Sequence, residues 1–237
     1  GANNSNACFL CSEGLFSEGA GGSVCEKCPA GSFSTGIGAN NPALCALCSG
    51  GTFSTGGARV CEKCVAGFYW TGEGAQSSAS CTSCSRGSFS SGGVTTCGNC
   101  SAGTYGTRIG AENSSLCLLC SAGTFSIGGL SLCDVCASGS YWTGIGANSS
   151  SSCIACSAAK FSTKGATICT LCSAGSFWTG SAASSCVDCV AGTYSSDGAN
   201  VCSKCVAGSY GVDSGANSSA SCLICPPGTF SVEGSNV

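Results

Sequence analysis

The chain has 237 residues, with 26 Cys, 38 Gly, no His, no Met and a formal net charge of −3. Charged residues make up 8% of it, against about 25% in ordinary soluble domains, so there is no basic footprint for nucleic acid or an anionic membrane. No run of about 18 apolar residues offers a membrane span. With no His and only scattered carboxylates, the usual acid–base, nucleophilic and metal constellations are missing, and the expectation is a protein that is not an enzyme and needs no metal or cofactor.

All 26 cysteines fall in thirteen Cys-x-x-Cys pairs, from Cys8/Cys11 to Cys222/Cys225. From Cys28 the second cysteines of alternate pairs fall at Cys64, Cys100, Cys136 and Cys172, 36 residues apart. A fixed period of that size marks a tandem repeat. In chain order, residues 1–8 read as the closing half of a module. Segments 28–45, 64–81, 100–117 and 136–153 are long modules, alternating with the short segments 48–61, 84–97 and 120–133. Segment 172–186 starts like a long module but lacks three residues. Residues 225–237 read as an opening half. No initiator Met or basic–apolar leader is present. The expectation is a mature product or a fragment, an array cut mid-module at both ends, with Cys225 joined to a Cys8 equivalent across the join.

With the second cysteine of each pair as position zero, position +3 is Gly in twelve of thirteen modules, Ala159 being the exception. Position +5 is aromatic in all thirteen, from Phe16 to Phe230. Gly at +3 calls for positive φ or close backbone approach. The Thr/Ser-aromatic-Ser triplet favours a short strand, and a Gly-rich tip such as Thr55-Gly56-Gly57 suits a hairpin turn. A second strand, such as Arg59-Val60, is expected to return to the next cysteine. The added length of long modules is a Gly-Ala-Asn-Ser-Ser type segment, as at 146–150 and 215–219.

Connectivity does not follow from sequence alone. If each module closes on itself, the bonds are Cys11–Cys25, Cys28–Cys45, Cys48–Cys61, Cys64–Cys81, Cys84–Cys97 and Cys100–Cys117. The series continues with Cys120–Cys133, Cys136–Cys153, Cys156–Cys169, Cys172–Cys186, Cys189–Cys202 and Cys205–Cys222, leaving Cys8 and Cys225 over. The rival reading is four-thiolate zinc, for which Cys-x2-Cys-x16-Cys-x2-Cys is ribbon spacing. Eight basic residues in the whole chain provide little compensation for such anionic sites. Unpaired thiols at this density belong to no oxidising compartment, so the paired reading places the chain outside the cytosol.

Cys28-Pro29-Ala30-Gly31-Ser32-Phe33-Ser34 and Cys225-Pro226-Pro227-Gly228-Thr229-Phe230-Ser231 resemble the ephrin type A/B receptor-like cysteine-rich repeat, within the wider group of growth-factor- and TNF-receptor-like modules. The resemblance runs over nearly the whole chain. It implies loops that each close on the next cysteine, and an extracellular setting. Most modules carry Ser, Val or Ala in place of Pro after the cysteine, and the regular doublets with low charge look more like the repeat arrays of protist and algal surface proteins or fibres than an animal receptor.

N-glycosylation acceptors read at Asn3, Asn113, Asn148 and Asn217, the last three in the same part of long modules. Asn99-Cys100-Ser101 also fits formally, but a bridged Cys100 blocks it. Trp70, Trp142 and Trp178, at +6, are expected to cap a neighbouring module's disulfide, with sugar stacking as the alternative. Apolar residues inside the cysteine pairs that follow long modules, such as Leu47, Leu119 and Leu223, point either to packing within a module or to a stripe for lateral assembly.

These readings combine into a small disulfide-rich, all-β fold: an elongated tandem array of short β-hairpin modules with no central core. Residues 1–237 form one continuous array of about 13 modules in doublets of 36 residues. The expected role is an extracellular or cell-surface structural glycoprotein, a segment of a fibre or appendage that self-associates head to tail or laterally. The alternative is a receptor-like ectodomain or stalk that binds a protein ligand.

Overall fold

The computed structural model describes residues 8–19 and 22–237. Among them there is no α-helix, and the strands form twelve two-stranded sheets. Each hairpin pairs positions +4 and +5 of a module with the two residues between the next pair of cysteines, in antiparallel register. Thr52–Phe53 thus pairs with Glu62–Lys63, and Ser176–Phe177 with Val187–Asp188. The chain is therefore a small disulfide-rich all-β protein of stapled hairpins in tandem.

The return strand lies one cysteine further on than the sequence reading placed it. Arg59 and Val60 are not a strand; Glu62–Lys63 is. The reason is that the segment after the tip is already engaged elsewhere. Ala58 makes a parallel bridge with Phe33 of the preceding module, and the Gly57 N–H donates to the Cys28 carbonyl at 2.8 Å. The tip is not an isolated hairpin turn but a docking segment.

The same contacts recur through the chain. Contact density divides it into two compact units. Unit 1 holds residues 1–101, 105–118 and 128–132, and unit 2 holds 102–104, 119–127 and 133–237. In unit 1, the tip amides of Gly38, Gly57, Gly74, Gly93, Gly110 and Gly129 donate to the carbonyls of Cys11, Cys28, Cys48, Cys64, Cys84 and Cys100. In unit 2, Gly146, Gly165, Ala182, Gly198, Gly215 and Gly234 do the same to Cys120, Cys136, Cys156, Cys172, Cys189 and Cys205. The aromatic at +5 bridges the residue after the next tip each time, as in Phe53↔Ala75 and Phe161↔Ala183.

Glycine at +3 meets both conditions expected of it. Its φ is positive, +80° at Gly51, and its α-carbon faces the tip of the module two places ahead. A Cβ on Gly51 would lie 2.6 Å from the Gly93 carbonyl carbon. Gly67 stands in the same relation to Gly110, and Gly123 to Gly165. Wherever +3 is Gly, from Gly14 to Gly192, a module thus approaches the one two places ahead.

Long modules differ from short ones by a single 3₁₀ turn before the closing cysteine. These turns are Pro42–Leu44, Ser78–Ser80 and Ser114–Leu116 in unit 1, and Ser150–Ser152 and Ser219–Ser221 in unit 2. They form from the Gly-Ala-Asn-Ser-Ser type insert. Module 172–186, which lacks three residues, has no such turn among its described elements.

Burial is local and made mostly of small side chains. The largest fully buried ones are nine cysteines at position zero and Ser126. Phe16, Cys28 and Ala39 form one such cluster, with Cys45 against it. The buried serines at +6 reach back to the preceding module: Ser54 Oγ donates to the Ser32 carbonyl at 2.8 Å, Ser90 to Phe68 at 2.9 Å and Ser162 to Ser140 at 2.9 Å.

Among the described residues, two alanines carry left-handed backbone, Ala159 at φ +64° and Ala182 at φ +60°. Such a conformation costs an alanine about 1 kcal/mol. Ala159→Gly or Ala182→Gly should therefore stabilise the oxidised chain by up to about 1 kcal/mol in denaturant titration. Gly67→Ala should destabilise it by more than about 2 kcal/mol, and Ser162→Ala by about 1–2 kcal/mol through the carbonyl left unpaired.

Candidate functional site

The residues that carry chemistry are the cysteines. Twelve disulfides join Cys11 to Cys25, Cys28 to Cys45, Cys48 to Cys61, Cys64 to Cys81, Cys84 to Cys97 and Cys100 to Cys117. They also join Cys120 to Cys133, Cys136 to Cys153, Cys156 to Cys169, Cys172 to Cys186, Cys189 to Cys202 and Cys205 to Cys222. Cys8 and Cys225 carry free thiols. Each bond ties the buried cysteine at position zero to the more exposed cysteine that ends its module. Because the carbonyl of that buried cysteine receives the next tip, the bond anchors one module where its neighbour docks.

The acceptor asparagines fall into two groups. Asn148 and Asn217 are exposed and stand one residue before Ser149 and Ser218, the caps of their 3₁₀ turns. Asn113 is also exposed but sits one register position later and is itself the cap. Its Oδ1 accepts the Ser115 N–H at 3.0 Å and the Ser115 hydroxyl at 2.5 Å. The three therefore share a segment but not a single structural position. Asn99 lies in a strand, with its side chain 3.1 Å from where a Cβ on Gly129 would stand, beside the bonded Cys100. Asn3 lies outside the described residues.

Each tryptophan folds over the glycine two residues on. A Cβ at Gly72 would lie 3.0 Å from Trp70 Cζ2, and one at Gly144 would lie 2.9 Å from Trp142 Cζ2. One at Gly180 would lie 3.3 Å from Trp178 Nε1. All three indole N–H groups are buried and meet no acceptor. The Trp-Thr-Gly triplet in each was the available signal: the glycine provides a flat backbone face for the ring.

Residues inside the cysteine pairs form strands with their own module, and some of their side chains also meet a later tip. Leu47 Cδ2 lies 3.3 Å from a Cβ position on Gly74, and Leu119 Cδ2 lies 3.0 Å from one on Gly146. Lys27 and Lys63 cover Gly57 and Gly93 with their methylene stems. The serine clamp at +6 was missed in the sequence. Its signal is an alternation, in which short modules hold Ser where several long ones hold Trp or Gly.

Cavities are shallow. One of about 370 Å³ within module 28–45 is lined by Phe33, Ile37, Leu44 and Ala46, among others, and no titratable group lines it. No cluster of three or more His, Cys, Asp or Glu suited to a metal occurs among the described residues. No helix among the described residues is long and apolar enough to cross a membrane.

Replacing Gly72 by Ala should push the Trp70 ring out of its seat. The expected result is a red shift of part of the tryptophan emission with the disulfides intact. An unchanged spectrum would show that the ring does not rest there.

The family model described as tyrosine-protein kinase ephrin type A/B receptor-like matches residues 1–45 and 192–236. No curated protein matches the chain. Tandem stapled hairpins between the two matched ends fit a cysteine-rich repeat array, and disulfides in this number form and persist in oxidising compartments.

Proposed function

We propose that this array of ephrin-receptor-like cysteine-rich repeats is an extracellular structural protein, a segment of a fibre or cell-surface appendage, and not an enzyme. The observation that supports this reading most is the uniformity of the junctions. Tip amide to cysteine carbonyl and aromatic to next tip recur twelve times, six in each unit. A protein-binding ectodomain concentrates charge or aromatic side chains in one or two divergent modules, whereas here the few charges are scattered.

In this reading each unit is stabilised from neighbour to neighbour along its modules. Copies associate into fibres. Glycans on exposed Asn113, Asn148 and Asn217 add the hydration that 8% charged residues do not provide. Asn99 stays bare because a glycan there would displace the next tip.

Electron microscopy of native material tests the fibre. The expected result is fibres whose axial repeat derives from the doublet, and isolated particles in native material would overturn the reading.

A further inference from the structure

Two described stretches lack the partner that the fold gives all their equivalents. Twelve of the thirteen cysteine pairs enclose a strand, and each such strand lies against positions +4 and +5 of the module that it closes. Phe9–Leu10, inside the first pair, belongs to no strand, and neither does Thr229–Phe230, at +4 and +5 after the last pair. Phe9 is 91%, Leu10 76% and Phe230 89% exposed, whereas every other aromatic at +5 is buried or half-buried. Both stretches are nonetheless shaped like their paired equivalents. Leu10 Cδ2 lies 3.0 Å from a Cβ position on Gly38, as Leu119 Cδ2 does from one on Gly146. The Thr229 N–H donates to the Pro226 carbonyl at 3.1 Å, the same turn that leads into the strands at Thr52 and Thr124. Beside it, Gly208 faces open space where the earlier +3 glycines meet a later tip.

We infer that Thr229–Phe230 of one copy takes Phe9–Leu10 of a second copy as its return strand, joining copies head to tail. The inference rests on the fibre reading and names its axial contact. An unpaired strand edge is a template for another chain. Here the missing piece is defined by the twelve hairpins already formed: two residues between paired cysteines with no module of their own to face. Phe9–Leu10 is the one such piece among the described residues. The register of the other hairpins, in which Thr52 faces Lys63 and Phe53 faces Glu62, sets Thr229 opposite Leu10 and Phe230 opposite Phe9. Two exposed aromatic rings then leave water together as a cross-strand pair. Because the two surfaces differ, each joined copy keeps one of them free and the contact propagates.

The test is sedimentation of the full oxidised chain at concentrations up to about 1 mM, under argon so that the thiols of Cys8 and Cys225 form no bond between copies. Two variants accompany it, F9D and F230D, each of which puts a charge where the join needs an apolar ring. Both rings are exposed in the single chain, so each variant should still titrate two thiols. The unaltered chain should form species whose mass grows with concentration. Each variant alone should need at least about a tenfold higher concentration for half association. An equimolar mixture of the two should form dimers and stop there, because F9D supplies an intact Phe230 and F230D an intact Phe9. If the unaltered chain stays monomeric, or both variants associate as it does, the join is wrong. If the mixture does no better than either variant alone, the two stretches are not each other's partners and the join is equally wrong. Fibres in native material would then still uphold the fibre reading, whose own failure is read from their absence.

Discussion

The structure depends on one constraint: the backbone of each tip must find its hydrogen-bond partners in the module before it. A module of this size has too few large side chains to enclose a core, so its tip would otherwise leave its polar groups to water. Instead the tip amide meets the carbonyl of the preceding buried cysteine, and the following residue bridges the aromatic strand. Both receiving groups are held in place by the disulfide at position zero. The cross-link therefore acts beyond its own loop, because it fixes the acceptor to which the next module binds. Its contribution in the unfolded chain, by shortening the accessible loops, adds to that.

The close approach explains the unusual interior. Cysteine, alanine and serine fill most of it, with Phe16 and Phe53 beside them and no leucine among the described residues. Small side chains let neighbouring backbones come together, and the serine hydroxyls satisfy carbonyls that this packing would otherwise bury without partners. The contact from +3 to the tip two modules ahead extends the coupling past the nearest neighbour, the usual limit in repeat proteins. Where the pattern lapses, the lapses fall close together. Ala159, Ala182 and the shortened module 172–186 occur in consecutive modules. That stretch keeps the hydrogen bonds of the others, from Ala159 N–H to the Trp178 carbonyl and from Ala182 N–H to the Cys156 carbonyl, while carrying left-handed alanines.

Much of this was legible in the sequence, because cysteine period, Gly at +3 and the aromatic at +5 each have a local cause. The return strand was not. Glu62-Lys63 and Arg59-Val60 are both short, and nothing in their composition says which pairs with Thr52–Phe53. The choice is made by Ala58, which a parallel bridge to Phe33 takes out of the hairpin. The same limit hid the partner of Gly51, since a contact between two backbones leaves no mark except a missing side chain. Trp70 shows a related limit: a large aromatic beside cysteines invites a disulfide contact, and its covering of the glycine two residues on is not foreseen. Asn113 and Asn148 look equivalent as acceptor triplets, yet a one-residue shift makes the first a cap and leaves the second free of that role.

The central claim is that every module closes on itself and that the closing bond anchors its successor. Peptide mapping of the oxidised chain under non-reducing conditions tests it most directly. The account predicts the twelve within-module pairs described above, with thiols only at Cys8 and Cys225. Bonds that link cysteines of different modules, or reduced cysteines holding metal at position zero, would contradict it.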